Sequence, residues 1–219
     1  MLSAVVEHVS GKRFETFLHD ELFEPLAMHE CAAEASDDIA IAYDEHGNAT
    51  LPHVEVAQGA SSACCSADSL LKFAMFNLKD RLPGQRNPVI SDAGIDAMHD
   101  QTVATDAPGQ HYGLGWWIDD YKNGYRVVYD AGGTADSKAL LYTIPSEDIA
   151  VVVLANAPAL DSDKVVDRIL AALLPKYALA FQAPEGTGSV SSPAVTPAAI
   201  GWPKGRGLAK STLTKETNL

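Results

Sequence analysis

Short apolar runs separated by turn residues mark residues 112–156, which read YGLGWWIDDYKNGYRVVYDAGGTADSKALLYTIPSEDIAVVVLAN. Such runs predict antiparallel strands, at about residues 113–119, 125–130, 138–144 and 149–155. The pair Asn123-Gly124 tolerates the positive φ angles of a tight hairpin turn. Residues 151–154 are continuously apolar, which is typical of a strand that is covered on both faces.

Helical periodicity lies on both sides of this predicted sheet. Apolar residues at three- and four-residue spacing predict helices, at about residues 2–9, 14–22, 69–77, 91–101 and 161–175. Gly11 is a C-terminal cap signal for the first of them, and Ser66 is an N-cap for the third.

These elements predict an α+β fold, in which an antiparallel sheet carries a packed C-terminal helix and is joined to a helical subdomain. Residues 1–105 form the mainly helical part, residues 106–176 form the sheet and terminal helix, and residues 1–176 together form one domain. Residues 177–219 are predicted to be a linker and tail, because the chain becomes rich in proline, glycine and serine from about residue 182.

The composition is that of an acidic globular protein. Of its 219 residues 47% are hydrophobic, and 16 basic against 29 acidic side chains give a formal net charge of −13. This charge argues against nucleic acid and anionic membranes as partners, because both need clustered cations. No apolar run reaches the ~18 residues of a membrane-spanning helix, so no membrane span is expected.

The cysteines bear on the compartment and on metal binding. The chain has an odd number of cysteines, namely Cys31, Cys64 and Cys65. Adjacent cysteines rarely form a disulfide with each other. A reducing compartment therefore fits best, and the lack of a visible signal peptide favours a cytoplasmic location. No Cys-x-x-Cys or His-Glu-x-x-His spacing occurs, so neither a metal nor another cofactor is expected.

Three segments resemble one known family. They are LSAVVEHVSGKRFETFLHDELFEPLAMHE near the start, GASSACCSADSLLKF at residues 59–73, and YGLGWW with a Gly-Gly turn and IPSEDIAVVVLAN. Together they resemble the serine β-lactamase and penicillin-binding-protein-like family, which includes class C β-lactamases, D-Ala-D-Ala carboxypeptidases and β-lactamase-like esterases. The resemblance covers about residues 1–176 and implies the C-terminal half of a β-lactamase/transpeptidase-like fold.

The family's reaction needs three elements. A nucleophilic serine in Ser-x-x-Lys has its proton removed with the help of the lysine. A Tyr or Ser in Tyr/Ser-x-Asn shuttles protons, and a strand ending in Lys/His-x-Gly orients the substrate beside an oxyanion hole. The first two normally precede the helix at which this sequence opens, so the resemblance implies that the nucleophile and shuttle segments are missing from this chain.

The third element is present in altered form. Asp130-Ala131-Gly132 stands where the family has Lys/His-x-Gly, and Gly133 follows. A carboxylate at residue 130 would repel a substrate carboxylate, which disfavours β-lactam and peptide substrates more than neutral esters. The resemblance implies an oxyanion contact from the N–H of Gly133 and substrate contacts from Gly132 and Thr134. Alternatively, the two glycines only form a turn at a strand end.

Two short motifs match the family's catalytic patterns in the wrong context. Ser69-Leu70-Leu71-Lys72 is the only Ser-x-x-Lys in the chain, but it falls where the family has an ordinary helix start, which favours a structural role over a catalytic one. Tyr121-Lys122-Asn123 matches Tyr-x-Asn, but Gly124 follows and favours a hairpin turn.

The resulting expectation is a serine hydrolase domain related to β-lactamases, which transfers an acyl group from an ester, amide or β-lactam to water. The isolated chain is expected to be nearly inactive, because the nucleophile segment is missing. The alternative is a non-catalytic remnant or pseudoenzyme that self-associates or binds a partner, for example a complementing N-terminal segment at an unpaired sheet edge. A truncated form of an active enzyme is the third possibility.

Overall fold

The computed structural model describes residues 1–33, 39–50, 59–60, 63–86, 89–100, 102–157 and 159–180. The predicted tail from residue 181 onward lies outside these ranges. The predicted α+β architecture is confirmed, with helices on both faces of an antiparallel sheet.

Two helical stretches open the chain. Helix α1 (Leu2–Ser10) ends at Gly11, which adopts a left-handed conformation with φ 68° as its cap role requires. Helix α2 (Phe14–Leu18) continues as a π-helical turn over His19–Phe23, where an uninterrupted α-helix was predicted. The wider turn brings Phe23 into a buried cluster with Leu26 and Met28, so tertiary packing decides the local geometry.

Two longer helices complete the helical part. Helix α3 (Ala67–Asn77) begins as predicted, because the Ser66 hydroxyl oxygen accepts a hydrogen bond from the N–H of Ser69. Helix α4 (Asp92–Asp100) follows.

A disulfide ties the helical part together. Cys31 lies directly opposite Cys65 in a short ladder between β1 (Cys31–Ala32) and β4 (Cys64–Cys65), and their sulfur atoms are bonded, which leaves Cys64 as the free thiol. The reduced state expected from the cysteine count is therefore wrong for this pair. The register that joins two residues 34 positions apart is a tertiary feature, which spacing along the chain does not reveal.

The main sheet is a six-stranded antiparallel meander in which the strand order follows the chain order. A separate two-stranded ladder pairs β2 (Ala42–Tyr43) with β3 (Ala49–Thr50). The strands of the main sheet are β5 (Val103–Ala104), β6 (Gln110–Tyr112), β7 (Trp117–Lys122), β8 (Tyr125–Gly133), β9 (Lys138–Ile144) and β10 (Ile149–Ala155).

Strand β7 starts four residues later than the predicted 113–119. The reason lies in a tight loop before it, where the Gly113 N–H donates to the Trp116 carbonyl and Gly115 has φ 83°. A side-chain carbon on Gly113 would come 2.3 Å from the carbonyl oxygen of Met98. The loop therefore packs against the end of α4, and only a glycine fits there.

Strand β8 is longer than predicted and runs through Gly133 rather than ending at Asp130. Gly132 and Gly133 pair with Ala139 and Lys138 of β9. The alternative in which the two glycines form a strand-end turn is therefore wrong, because the turn is made by the four residues that follow Gly133.

The core has a layer on each face of the sheet. Val127 and Tyr142 face helix α5 (Ser162–Leu173), whereas Val128 and Leu141 face α3 and Trp116. Helix α6 (Pro175–Ala180) follows α5, and Tyr177 within it is completely buried. The packed unit thus continues beyond residue 176, and the compact region spans Met1–Phe181.

Within the ranges that the structure covers, no helix combines the length and the apolar character that crossing a bilayer requires.

Candidate functional site

The last four residues of β8 have one paired edge and one open edge. The ladder between β7 and β8 reaches only as far as the pair Trp117–Tyr129, whereas β9 pairs with β8 through Gly133. On the β7 side, residues 130–133 therefore have no ladder partner in the described part of the chain. An open strand edge of this kind can hydrogen-bond an extended ligand through its backbone.

Asp130 lies at the start of this open edge and is exposed. The surrounding protein partly desolvates its carboxyl group and raises its pKa above the usual value, although a hydrogen bond from the backbone of Ala131 opposes this shift. A carboxyl group is neutral when protonated and negative when ionised, so Asp130 offers no positive charge to a ligand.

The turn after Gly133 is held by its own side chains. The Thr134 hydroxyl donates to a carboxylate oxygen of Asp136 at 2.6 Å and lies 2.6 Å from the Ser137 hydroxyl. The Thr134 N–H donates to the carbonyl of Ser137 at 3.0 Å. Thr134 therefore stabilises the turn that follows the candidate oxyanion residue.

Lys138 contributes a cation that the sequence reasoning missed. It pairs with Gly133 across the β8–β9 ladder, and its side chain lies over that glycine. No described residue forms a hydrogen bond or an ion pair with its ammonium group. The position of Lys138 opposite Gly133 follows from the register of the β8–β9 hairpin. That register can be deduced only when the turn residues are known.

Ser69 and Lys72 are held in structural contacts on α3. Ser69 is fully buried, and its hydroxyl oxygen accepts a hydrogen bond from the N–H of Glu30 at 3.3 Å. The ammonium of Lys72 is 2.9 Å from an Asp68 carboxylate oxygen and donates to the carbonyl of Ala27 at 3.0 Å. A nucleophile needs access to substrate and a free base beside it, and this pair has neither.

The Tyr-x-Asn match lies in a hairpin, as predicted. Asn123 has φ 52° at the turn, and the side chain of Tyr121 is 82% exposed. Lys122 instead donates to the Tyr142 hydroxyl at 2.9 Å and lies 3.5 Å from Asp167. Burial strongly raises the pKa of the Tyr142 phenol, so this tyrosine stays protonated. It is part of the buried core.

No group of three or more potential metal ligands occurs among the residues for which the structure gives positions. The features that remain for a site are contiguous: the open edge of residues 130–133, the turn at Thr134 and the ammonium of Lys138.

The antiparallel sheet between helical layers is the α+β architecture of the β-lactamase/transpeptidase-like fold, which solved structures of this class share with the chain. The chain belongs to the Beta-lactamase family, whose family model matches residues 1–176. No curated protein matches the sequence significantly.

Solved structures share the fold at low sequence identity. The octameric penicillin-binding protein homologue from Pyrococcus abyssi has 23% identity and a TM-score of 0.67, over 80% of this chain and 40% of that one. The penicillin binding protein from Bacillus halodurans has 20% identity and a TM-score of 0.65, over 78% and 53%. A D-alanine carboxypeptidase from Burkholderia cenocepacia has 18% identity and a TM-score of 0.65, over 78% and 59%. The chain thus spans between 40% and 59% of the length of these structures.

Proposed function

We propose that this chain supplies the substrate-facing strand of a serine hydrolase domain that transfers acyl groups to water, and that it has little or no hydrolytic activity on its own. The open edge of residues 130–133 supports the first half of this proposal. An acyl substrate would lie along this edge, with its carbonyl oxygen near the N–H of Gly133.

The state of Ser69 supports the second half and carries the proposal. A serine hydroxyl becomes nucleophilic when a neighbouring base accepts its proton. Ser69 is fully buried, its oxygen already accepts a hydrogen bond, and Lys72 is occupied by Asp68 and Ala27. The only Ser-x-x-Lys of the chain therefore stabilises α3.

The substrate class follows from the charges at the strand. Asp130 would repel a carboxylate that lay on its side of β8. The ammonium of Lys138, which forms no ion pair with any described residue, lies at Gly133. Neutral esters and amides avoid the repulsion by Asp130 and are the proposed preference over β-lactams, whose carboxylate could reach only Lys138.

Intact mass measurement after acylation tests the proposal. The folded chain is incubated with a reactive penicillin in one sample and with a fluorophosphonate in another, and a complete class C β-lactamase treated in parallel shows that the penicillin is reactive. We expect no stoichiometric adduct on the chain. An adduct that maps to Ser69 and disappears in Ser69→Ala would overturn the proposal.

A second candidate function is a non-catalytic one, in which the chain binds a partner polypeptide or a second copy of itself. The observation that favours it is the unpaired outer edge of β10 in the described structure. This function is compatible with a lack of catalytic activity, because binding a partner needs only the surface of the fold.

A further inference from the structure

A row of aromatic side chains crosses one face of the main sheet. Directly paired positions on β6, β7, β8 and β9 carry, in that order, Tyr112, Trp117, Tyr129 and Tyr142. Residues that pair directly in an antiparallel ladder place their side chains on the same face, so the four rings form one row. Val103 of the edge strand β5 pairs with Tyr112 and continues the row to the border of the sheet.

The two ends of the row differ in burial. Tyr142 is 2% exposed in the cluster beneath α5, and its ring stacks on Tyr129 with the centroids 4.7 Å apart. At the other end Tyr112 is 42% exposed and Val103 is 74% exposed. The rings of Tyr112 and Trp117, here called the aromatic pair, meet edge to face with centroids 4.8 Å apart. Core packing therefore accounts for the covered end of the row but not for the aromatic pair.

Hydrogen-bonding side chains flank the aromatic pair on the same face. Gln110 and Asp119 pair across the β6–β7 ladder, and each lies two residues from a ring of the pair, which puts both on the face of the rings. The Gln110 amide nitrogen donates to the Tyr129 hydroxyl at 3.1 Å, and its amide oxygen accepts from the Thr105 hydroxyl at 3.1 Å. An amide nitrogen has two N–H groups and a phenol oxygen both donates and accepts, so these groups retain hydrogen-bonding capacity for a ligand.

The charge beside the aromatic pair is negative. Asp119 is half-buried, and one of its carboxylate oxygens accepts from the N–H of Tyr121 at 2.9 Å. At the covered end of the row, the ammonium of Lys122 lies 3.5 Å from Asp167 and 3.9 Å from Asp163, so its charge is already compensated. An anionic ligand at the aromatic pair would meet the repulsion of Asp119, whereas a neutral ligand can donate hydrogen bonds to the same carboxylate.

We propose that the aromatic pair and its polar flank bind a neutral glycan. A pyranose ring has an apolar face of C–H groups and a rim of hydroxyl groups, so it matches an aromatic surface beside a few hydrogen-bonding side chains. The C–H face would pack on Trp117, while hydroxyl groups donate to Asp119 and contact the amide of Gln110. An apolar protein segment would bury those polar groups without partners, which disfavours it as the occupant.

The extent of the row fits more than one sugar ring. Neighbouring strands lie about 4.8 Å apart, so the row spans about 10 Å from Tyr112 to Tyr129, which is about the length of two linked pyranose rings. The site is also separate from the candidate acyl site. Asp130 pairs with Leu141, which faces α3, whereas the aromatic row lies on the face that α5 covers at Tyr142. Glycan binding thus goes beyond the proposed function and does not depend on it.

The test titrates the full 219-residue chain with two neutral probes, cellohexaose and chitohexaose, and follows the indole N–H resonances of its three tryptophans by NMR. The resonance of Trp117 is identified by its absence in Trp117→Phe. We expect a saturable shift of this resonance with at least one of the two probes. A cello-oligosaccharide of the same length that is oxidised to carboxylates at C6 should bind about tenfold more weakly than cellohexaose, because Asp119 repels it.

Matched variants locate the site. Tyr112→Ala and Trp117→Ala are expected to weaken binding by about tenfold, because each removes one ring of the aromatic pair. Tyr121→Ala removes an 82% exposed ring of the same strand and should bind like the parent chain. Circular dichroism identifies variants that are folded, and Trp117→Phe, which keeps a ring in the row, should bind with intermediate affinity even if Trp117→Ala does not fold.

A charge variant tests the choice between neutral and anionic glycans. Asp119→Asn keeps a side-chain oxygen for the N–H of Tyr121 and removes the negative charge. We expect it to bind the neutral probe nearly as the parent chain does and to reduce the difference between the neutral and the oxidised oligosaccharide. An unchanged difference would show that Asp119 does not face the ligand and would contradict the proposed site.

Three further outcomes would overturn the proposal. The first is the absence of a saturable shift with either neutral probe. The second is an equal loss of affinity in Tyr121→Ala and Tyr112→Ala, which would place binding outside the row. The third is a shift with a polyproline peptide but with neither glycan, since proline-rich segments also bind aromatic surfaces. Acylation of Ser69 would refute the proposed function but would leave these titrations unchanged, so the two proposals can fail separately.

Discussion

Lys138 faces Gly133 across the β8–β9 ladder, and its ammonium nitrogen lies 3.4 Å from the point where a side-chain carbon on Gly133 would be. The carbonyl oxygen of Ser137 lies 3.2 Å from the same point. Residue 133 is therefore confined between a lysine stem and a turn. Beyond the chain neighbours of Gly132, no described residue has an atom within 4 Å of the equivalent position at Gly132. The two glycines therefore differ in the space around them.

The two glycines form a matched pair for mutation. We expect Gly133→Ala to lower the free energy of unfolding by about 1 kcal/mol, because the added methyl group must displace the Lys138 stem or the Ser137 carbonyl. Gly132→Ala should change it by less than ~0.5 kcal/mol, as surface substitutions usually do. Urea unfolding of both variants measures the difference. Equal losses would show that Gly133 is not confined.

Ser69→Ala is expected to affect stability rather than catalysis. The N–H of Glu30 loses its acceptor, and the net loss of a partly buried hydrogen bond costs about 0.5–1.5 kcal/mol. The control is Ser162→Ala, since the buried Ser162 hydroxyl has no hydrogen-bond partner among the described residues. Denaturant titration should separate the two variants, and a Ser69→Ala variant as stable as Ser162→Ala would argue against the structural role of Ser69.

His99 should make the fold sensitive to mild acid. Burial, assisted by the charge of Arg126, lowers the pKa of its imidazole from 6.5 to about 4. The unfolded chain therefore binds a proton that the folded chain excludes between these values, and stability is lost as pH falls from about 6.5 toward 4. For a shift of this size the loss amounts to roughly 3 kcal/mol.

The measurement for His99 is the pH dependence of thermal unfolding between about pH 4 and 8, the range in which histidine titrates. In His99→Leu the acid-side decline should be smaller than in the parent chain. His46→Gln, at an exposed histidine, should retain the parent profile. Identical slopes for His99→Leu and the parent would show that another group controls the decline.

The Cys31–Cys65 bond gives a prediction with an internal control. Cys31→Ser is expected to lower the free energy of unfolding by about 2–4 kcal/mol, because the bridge restricts the unfolded chain. Cys64→Ser removes the free thiol and should be nearly neutral. Alkylation of the folded, unreduced chain should modify one thiol, and modification of all three cysteines under those conditions would contradict the bridge.

Local signals were sufficient for part of the sheet. Strands β9 and β10 have the predicted bounds. An apolar run lies on each side of Pro145 and the turn residues that follow it, and only one hairpin fits this pattern. The end of β8 was misjudged for an equally local reason. Gly132-Gly133 is typical of a turn, and only its pairing with Ala139 and Lys138 shows that it continues the strand.

Features that depend on distant contacts were not accessible from the sequence. Cys31 and Cys65 meet through a two-residue ladder, and the π-helical turn at His19–Phe23 forms against a cluster that includes residues from α3 and α4. At the candidate site, the resemblance predicts Asp130, Gly132, Gly133 and Thr134, which are nearly contiguous, and their role stays a prediction. The cation at Lys138 was missed, because its place depends on the register of the hairpin.

The order of the main sheet has a consequence for how this chain folds. From β5 to β10, every strand pairs with the strand that precedes or follows it in the chain. Hairpins of this kind form from contacts close in sequence, which lowers the entropic barrier to folding and speeds it. The meander can therefore assemble hairpin by hairpin without waiting for a distant segment.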